Sequence, residues 1–371
     1  MANRGPSYDK HVFCIKDLEE QASKKMPKMY REYFNEGAMD LITLADNRAA
    51  FDRYRIRPRV LVDVSKVDTS TTIMGKKVSF PLGFSPAAMH GLAHPDGEVG
   101  TSRGAANMNV AMGLSTYSNK SMEDVIAEGK GNPYAFQVTL VKDKSLVVRM
   151  IQRAEKAGYN AIFLTVDAAF LGKRLNEYRN SFAMPKGTVY PNLGEDINCD
   201  NLDVPDDRTA YETALDWAET AAFMRKHTKL PVWIKGVYTP DDVALAIRHG
   251  FDGVIISNHG GRQLDSVPAT LDALRECAPV AKGRIPIAID SGIRRGTDIF
   301  KALALGADFC FVGRVPIWGL AYKGSEGVEL ALQLLKHEFT LAMGLTGCKN
   351  VSEINRGHLS ILNAEGVLSK L

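Results

Sequence analysis

The 371-residue chain has no apolar run approaching the ~20 residues needed to cross a bilayer, and residues 1–10 lack the apolar stretch of a secretory signal. The expected setting is soluble and intracellular. Its five cysteines, Cys14, Cys199, Cys277, Cys310 and Cys348, are odd in number and include no CxxC pair, which argues against a disulfide framework and a zinc site. All five are expected to be free thiols. Excess charge of one sign is also missing: 46 basic and 43 acidic side chains leave a net +3 with no concentrated stripe, so neither a nucleic acid nor a membrane partner is expected. His90 and His94 have the spacing of a helical metal pair, but Gly91 and Pro95 break such a helix, and no metal is expected. Internal repeats of solenoid type and low-complexity tracts are absent.

What is present is apolar residues, 45% of the chain against 24% charged, enough to fill a sizeable core. From Phe80 onward, short apolar runs alternate with stretches of helical periodicity such as Asp143–Ala157 and Thr239–His249. The expected strands are Leu82–Pro86, Val110–Leu114, Tyr134–Val138, Ala161–Val166, Val232–Lys235, Gly253–Ser257, Ile285–Asp290 and Asp308–Gly313. Several run apolar without alternation, as strands buried on both faces do. Eight βα units predict an α/β chain folded as a (β/α)8, or TIM, barrel. The charged helical region Ile15–Arg53 reads as a cap on that barrel. Nothing resembling a linker separates the two, so the expectation is one domain: a cap region over 1–79, the barrel over 80–345 and a tail over 346–371. The stretch Phe182–Tyr211, after the fourth strand, holds Pro185, Gly187, Pro191, Gly194, Pro205 and an acidic run from Asp203 to Asp207. It has no periodicity, and its place at a strand's carboxyl end predicts a lid.

Active sites of such barrels form where the strands end, so polar residues just past those ends carry the argument. The fourth strand runs into Thr165-Val166-Asp167 and then Arg174; the fifth ends in Lys235-Gly236; the sixth ends in Ser257-Asn258-His259-Gly260-Gly261-Arg262. A lone histidine would more often be structural. One flanked by glycines, followed by Arg262 and matched with Asp167 on another strand end, reads as a catalytic base. After the seventh strand comes Asp290-Ser291-Gly292-Ile293-Arg294-Arg295-Gly296, and after the eighth Gly313-Arg314. Glycine N–H groups, a helix N-terminus and arginine forks at that place predict a phosphate site.

These residues resemble, over nearly the entire chain, the FMN-dependent 2-hydroxy acid oxidases and dehydrogenases. Tyr33, Ser85-Pro86-Ala87-Ala88-Met89, Phe136-Gln137, Leu164-Thr165-Val166-Asp167, Leu171-Gly172-Lys173-Arg174 and Ile234-Lys235-Gly236 carry the resemblance. Ser257 to Asp265 is its most specific piece, and Ala302 to Ala307 with Gly313-Arg314 complete it. The resemblance implies FMN as cofactor, a small 2-hydroxy acid and O2 as partners, and a homotetramer or larger homo-oligomer. It implies His259 as base and Asp167 as its partner, with Arg262, Arg174 and Tyr33 clamping the substrate carboxylate. Lys235 then lies near flavin N1 and O2. Ala87, Ala88, Ser115, Gln137 and Thr165 contact the ring and ribityl chain, Ser257 and Asp290 belong to the same cofactor site, and Gly292, Arg294, Gly313 and Arg314 take the phosphate.

Two departures fall on the substrate pocket. Two residues past Gln137 the family usually has a tyrosine whose hydroxyl reaches the substrate, and here Thr139 stands there. Tyr117 occupies a position where glycolate oxidases commonly carry tryptophan. Both changes alter which acid fits, and Thr139 predicts an unfilled volume that favours larger substrates. The expected reaction is oxidation of an (S)-2-hydroxy acid to the 2-keto acid with hydrogen peroxide formed from O2. A dehydrogenase with another acceptor, a lactate monooxygenase-like enzyme and a non-catalytic flavin-binding homologue are the alternatives. Hydride and carbanion routes stay open, with His259 the base in either. Ser369-Lys370-Leu371 is the tripeptide read by the peroxisomal import receptor, so the expected location is the peroxisome.

Overall fold

The structure, a computed structural model, describes residues 5–194, 197, 206–363 and 365–371. Eight parallel strands close into a barrel: β1 (Leu82–Phe84), β2 (Ala111–Leu114), β3 (Tyr134–Thr139), β4 (Ala161–Thr165), β5 (Val232–Val237), β6 (Gly253–Ile256), β7 (Ile287–Ile289) and β8 (Phe309–Val312). Each pairs with its successor, and β8 pairs with β1, so no strand edge is left open.

Alternation along these strands divides the core in two. Ala111, Ala135, Ala161, Phe163, Trp233, Ile255, Ala288, Phe309 and Phe311 point inward and pack on one another. The residues between them, among them Phe136, Ile162, Leu164, Val254 and Ile289, point outward against the helices. Every strand is therefore buried on both faces, which is why its sequence runs apolar without alternating. Ile73 and Val78, from a hairpin of Thr71–Ile73 and Lys76–Val78, join the inner cluster and plug the end of the barrel that the strands start from.

The cap consists of α1 (Ile15–Lys25), α2 (Lys28–Asn35) and α3 (Ile42–Arg53). The barrel helices are α4 (Gly97–Asn107), α5 (Met122–Ala127), α6 (Lys144–Ala157), α8 (Trp217–His227), α9 (Pro240–Arg248), α10 (Thr270–Ala281), α11 (Gly296–Leu305) and α12 (Arg314–Thr346), while the short α7 (Leu175–Arg179) sits in the loop after β4. Local chemistry sets their ends. Asp143 caps α6 by accepting from Ser145 N at 2.9 Å, and Gly158 closes it in the left-handed conformation. Thr239 caps α9, whose first residue is Pro240, where no backbone donor is needed. His90 lies in a short 3-10 turn with Nδ1 2.9 Å from Thr101 Oγ1, while His94 follows outside it, so the two do not share a helix.

The cap is tied to the barrel by polar contacts, one pair of them buried. Asn47 and Asn258 exchange two amide hydrogen bonds at 2.9 and 2.8 Å, and Asp265 accepts from the N–H groups of Asp40 and Thr43 at 3.0 and 2.8 Å. Truncating either asparagine would leave the buried Nδ2 of its partner without an acceptor, at a cost of about 1–3 kcal/mol, although Gly261 N and Thr270 N would still donate to the remaining Oδ1. In the tail, Leu359–Leu362 pairs with both Tyr54–Ile56 and Leu368–Lys370. Cys14, Cys277, Cys310 and Cys348 are free thiols; Cys199 lies outside the described residues. Among the described residues no helix is long and apolar enough to cross a membrane.

Candidate active site

Strand parity fixes which side chains meet at the carboxyl end of the barrel. Two residues beyond the inward Ala135, Phe163, Trp233, Ile255, Ala288 and Phe311 come Gln137, Thr165, Lys235, Ser257, Asp290 and Gly313. A further step of two reaches Thr139, Asp167 and His259. Around this ring lies a cavity of about 1030 Å³, at the top of the range for ligand pockets and so wide enough for a nucleotide cofactor beside a small acid. It is bordered by the cap through Tyr33, by the β1 loop through Ala87 and Ala88, and by Ser115 and Tyr117 after β2.

His259 has a backbone φ of +59°, followed by Gly260 and Gly261 at +69° and +75°. For a histidine that conformation costs about 1–3 kcal/mol, and the turn is held by His259 N donating to Ser257 Oγ at 3.1 Å and Gly260 N to Ser291 Oγ at 3.0 Å. The turn aims Nδ1 at Asp167, 3.1 and 3.3 Å from its two oxygens. Burial alone would raise the Asp167 carboxyl, but His259 and Lys235 nearby hold it below the usual carboxylate value. The room for Asp167 comes from Gly236, which bulges β5 with φ +102°; a Cβ there would stand 2.6 Å from that of Asp167. Lys235 is 3% exposed, donates to Ser257 Oγ at 3.0 Å and sits 3.5 Å from Asp290 Oδ2. Burial opposes its charge, yet Asp290 and Asp167 outweigh it and hold the ammonium above its ordinary value.

Arg174 and Arg262 converge on Tyr33, their guanidinium carbons 6.0 and 4.7 Å from its ring centre. Phe182 stacks on the same ring at 4.7 Å. Arg262 also donates to the carbonyls of Tyr33 and, at 3.4 Å, Glu36. Its charge is disfavoured, down to about 10, by burial and then by Arg174 beside it. Glu177, one helical turn along α7, offsets part of this at 3.2 Å from Arg174 Nη1 and 3.8 Å from Arg262 Nη2. Arg174 Nε is buried with no hydrogen-bond partner. Such a pair of arginines, incompletely neutralised at a cavity wall, suits a carboxylate.

At the β7 and β8 ends, Gly292 holds φ +86°, and a Cβ there would come 1.9 Å from Asn47 O. Only glycine fits. Arg294 lies 4.7 Å over the Trp318 ring, and its Nε is buried without a partner. Its charge is disfavoured, to about 10, by burial and then by Arg48; that of Arg314 is pushed well down by burial and then by Arg262 and Arg294. This crowd of cations stands beside Gly313 at the N-terminus of α12, whose helical path is broken further on at Lys323 and Gly324. An anion fits there: a phosphate would neutralise the cluster and pair the orphaned Nε. The residues thus fit FMN, with Lys235 supplying a buried cation toward the ring.

Three expected contacts take another form. Arg314 spends its fork on the carbonyls of Phe34, Gly260 and Glu36 at 2.7, 3.0 and 2.9 Å, so it clasps the cap as well as facing the cavity. Ser257 is 1% exposed and stands behind the wall, bracing Lys235 and the His259 turn. Gln137 lines the cavity but donates to Thr139 Oγ1 and Thr165 Oγ1, both at 3.0 Å. Sequence reasoning missed Glu177, whose signal was the i, i+3 spacing from Arg174, and missed Tyr211, at the end of the expected lid. Of that lid, 195, 196 and 198–205 lie outside the described residues, with Pro205 and part of the acidic run; Tyr190 within it lines the cavity.

Comparison with known proteins agrees with this geometry. Residues 22–361 match the model of the family described as FMN-dependent dehydrogenase. The chain is 54% identical over 366 residues to Oxidase FUB9 of Fusarium oxysporum f. sp. lycopersici, covering 97% of this chain and 94% of that one. It is 43% identical over 353 residues to the glycolate oxidase of Spinacia oleracea, covering 93% and 95%. A solved mandelate oxidase superposes with a TM-score of 0.85 at 34% identity, covering 92% of this chain and 97% of its own. With a family model matched over most of its length and a barrel whose residues fit the cofactor, the chain belongs to the FMN-dependent 2-hydroxy acid oxidase family of oxidoreductases.

Proposed function

We propose that this enzyme oxidises an (S)-2-hydroxy acid to the 2-keto acid, with O2 as acceptor and hydrogen peroxide as product. The observation that carries the reading is the convergence of the His259 and Asp167 pair with Arg174 and Arg262 on one cavity. The arginines would take the substrate carboxylate, fixing Cα and its hydroxyl against His259. With Nδ1 turned to Asp167, Nε2 is the nitrogen that accepts the proton, and the Asp167 carboxylate stabilises the imidazolium that results. That proton leaves the 2-hydroxyl if Cα loses hydride, or Cα itself in a carbanion route; His259 serves both. FMN held at this site would supply the two-electron acceptor, with O2 as the final oxidant. Lys235, cationic and buried in the cavity wall, would favour negative charge developing on that group. The glycolate oxidase of Spinacia oleracea and the mandelate oxidase solved with (S)-mandelic acid, both similar to this chain, support the substrate class.

We further propose a homo-oligomeric enzyme directed to peroxisomes through Ser369-Lys370-Leu371. The test of the reaction is direct. Purified protein should be yellow, should bleach when a 2-hydroxy acid is added without oxygen, and should recolour in air with one peroxide per turnover. Bleaching without recolouring in air would select another acceptor, and no bleaching with any acid of a broad panel would overturn the reading.

A further inference from the structure

Thr139 leaves the pocket without the phenol that the resemblance places at that strand end, and its own hydroxyl is engaged by Gln137 Nε2 at 3.0 Å. The structure brings another phenol to the same place. Tyr211 lies 72 positions further along the chain, yet its backbone is bridged antiparallel to Val141, just past β3. On either side of it, Lys142 N donates to Ala210 O at 2.9 Å and Glu212 N to Leu140 O at 3.0 Å. Tyr211 is therefore laced onto the extension of the strand that carries Thr139. Its half-buried side chain lines the cavity with Thr139, Tyr117 and Arg174.

The surroundings of that ring are those of a carboxylate site. Tyr117, Arg174, Tyr33 and Asp167 are all close enough to act on its phenol. Burial raises the phenol above its ordinary value despite the opposing pull of Arg174, so at neutral pH it keeps its proton and can donate. Arg174 Nε, buried without a partner, is a second donor at the same wall. Tyr117 is itself fixed edge-on against Tyr190 at 5.9 Å, and Tyr190 bonds Met89 Sδ at 3.1 Å, so the ring beside Tyr211 has a rigid backing.

We propose that Tyr211, backed by Tyr117, donates the hydrogen bond to the substrate carboxylate that a tyrosine at position 139 would otherwise provide. This rests on the proposed reaction in that it names a binding group for the same acid. The hydroxyl reaches the carboxylate from the lid side instead of from the barrel floor, and the space above Thr139 is left for the substrate's side chain.

The experiment uses oxalate, a carboxylate with no Cα–H to lose, titrated into the FMN-loaded enzyme and followed by the change in flavin absorbance. Tyr211→Phe should weaken oxalate about tenfold, the loss of one hydrogen bond to a charged group, while leaving FMN affinity and Tm unchanged. Adding Thr139→Tyr to that variant should recover most of the loss, which a purely structural role for Tyr211 would not allow. Unchanged oxalate affinity in Tyr211→Phe overturns the proposal, as does a loss accompanied by release of FMN. If oxalate behaves as expected but no 2-hydroxy acid bleaches the unmodified enzyme, the carboxylate site stands and the reaction falls. If the unmodified enzyme does not bind oxalate, both fall.

Discussion

The roles of His259 and Asp167 separate when each is removed. His259→Ala should slow anaerobic bleaching by about 10²- to 10⁴-fold, the usual contribution of a positioned base, while FMN affinity stays at the level of the unmodified enzyme. Comparable loss of FMN would refute the assignment. Asp167→Asn tests the carboxylate's charge. Because the folded protein holds Asp167 below its ordinary value of 3.8, this group adds stability that is present above that pH and is lost as the pH falls through the lower folded value. The unmodified enzyme should therefore melt higher than Asp167→Asn at neutral pH, and the two melting curves should draw together below about pH 4. A gap that is independent of pH would mean that packing, not charge, is what Asp167 contributes. The same substitution should also slow bleaching, since an amide can hold the imidazole but cannot stabilise its charged form.

At the scale of the element, β5 shows how much of the site lay open in the sequence. Trp233 and Lys235 share the inward face by alternation, so once the strand is identified the lysine's direction follows. The same parity turns Gln137, Thr165 and Asp290 toward the cavity, residues that the family resemblance had already singled out. It could not show that Ser257 would stand behind Lys235, because depth along a strand end depends on neighbours from other strands. Nor could it foresee that Arg314 would clasp the carbonyls of Phe34 and Glu36, contacts across 280 and 278 residues with no local pattern. Tyr211 was hidden for the same reason: an antiparallel bridge to Val141 leaves no periodic trace in a loop. Gly236 gives this scale its test. Gly236→Ala would place a Cβ 2.6 Å from that of Asp167 on a backbone at φ +102°. It should cost at least about 1 kcal/mol of stability and displace Asp167 from His259. The expected readout is bleaching slowed more than Tm loss alone explains; a variant as active as the unmodified enzyme would show that the bulge does not set the pair's geometry.

At the scale of the whole molecule, the barrel's chemistry and the tail are separate parts. Among the described residues, none beyond Ile317 lines the cavity, and the closing strand Leu368–Lys370 meets the protein through its pairing with Leu359–Leu362. That edge strand is three residues long with exposed side chains, and Leu371 beyond it is only half-buried against the core, so peeling the end away uncovers the apolar surface of one side chain. A receptor that reads Ser369-Lys370-Leu371 at a free carboxyl end would have to do this, since the tripeptide must leave its partners Ser360 and Ile361 to be grasped in extended form. Deleting Ser369–Leu371 should therefore leave specific activity unchanged and lower stability by no more than about 1 kcal/mol, the scale of a frayed terminus. In cells that possess peroxisomes, a fluorescent fusion carrying its tag at the amino end should move from those organelles to the cytosol when the three residues are removed. Peroxisomal signal persisting after the deletion would show that the address lies elsewhere. Loss of activity in the purified truncation would show instead that the tail's short sheet supports the barrel, through the Tyr54–Ile56 strand that follows α3 and its link from α3 to the Gly292 turn by way of Asn47.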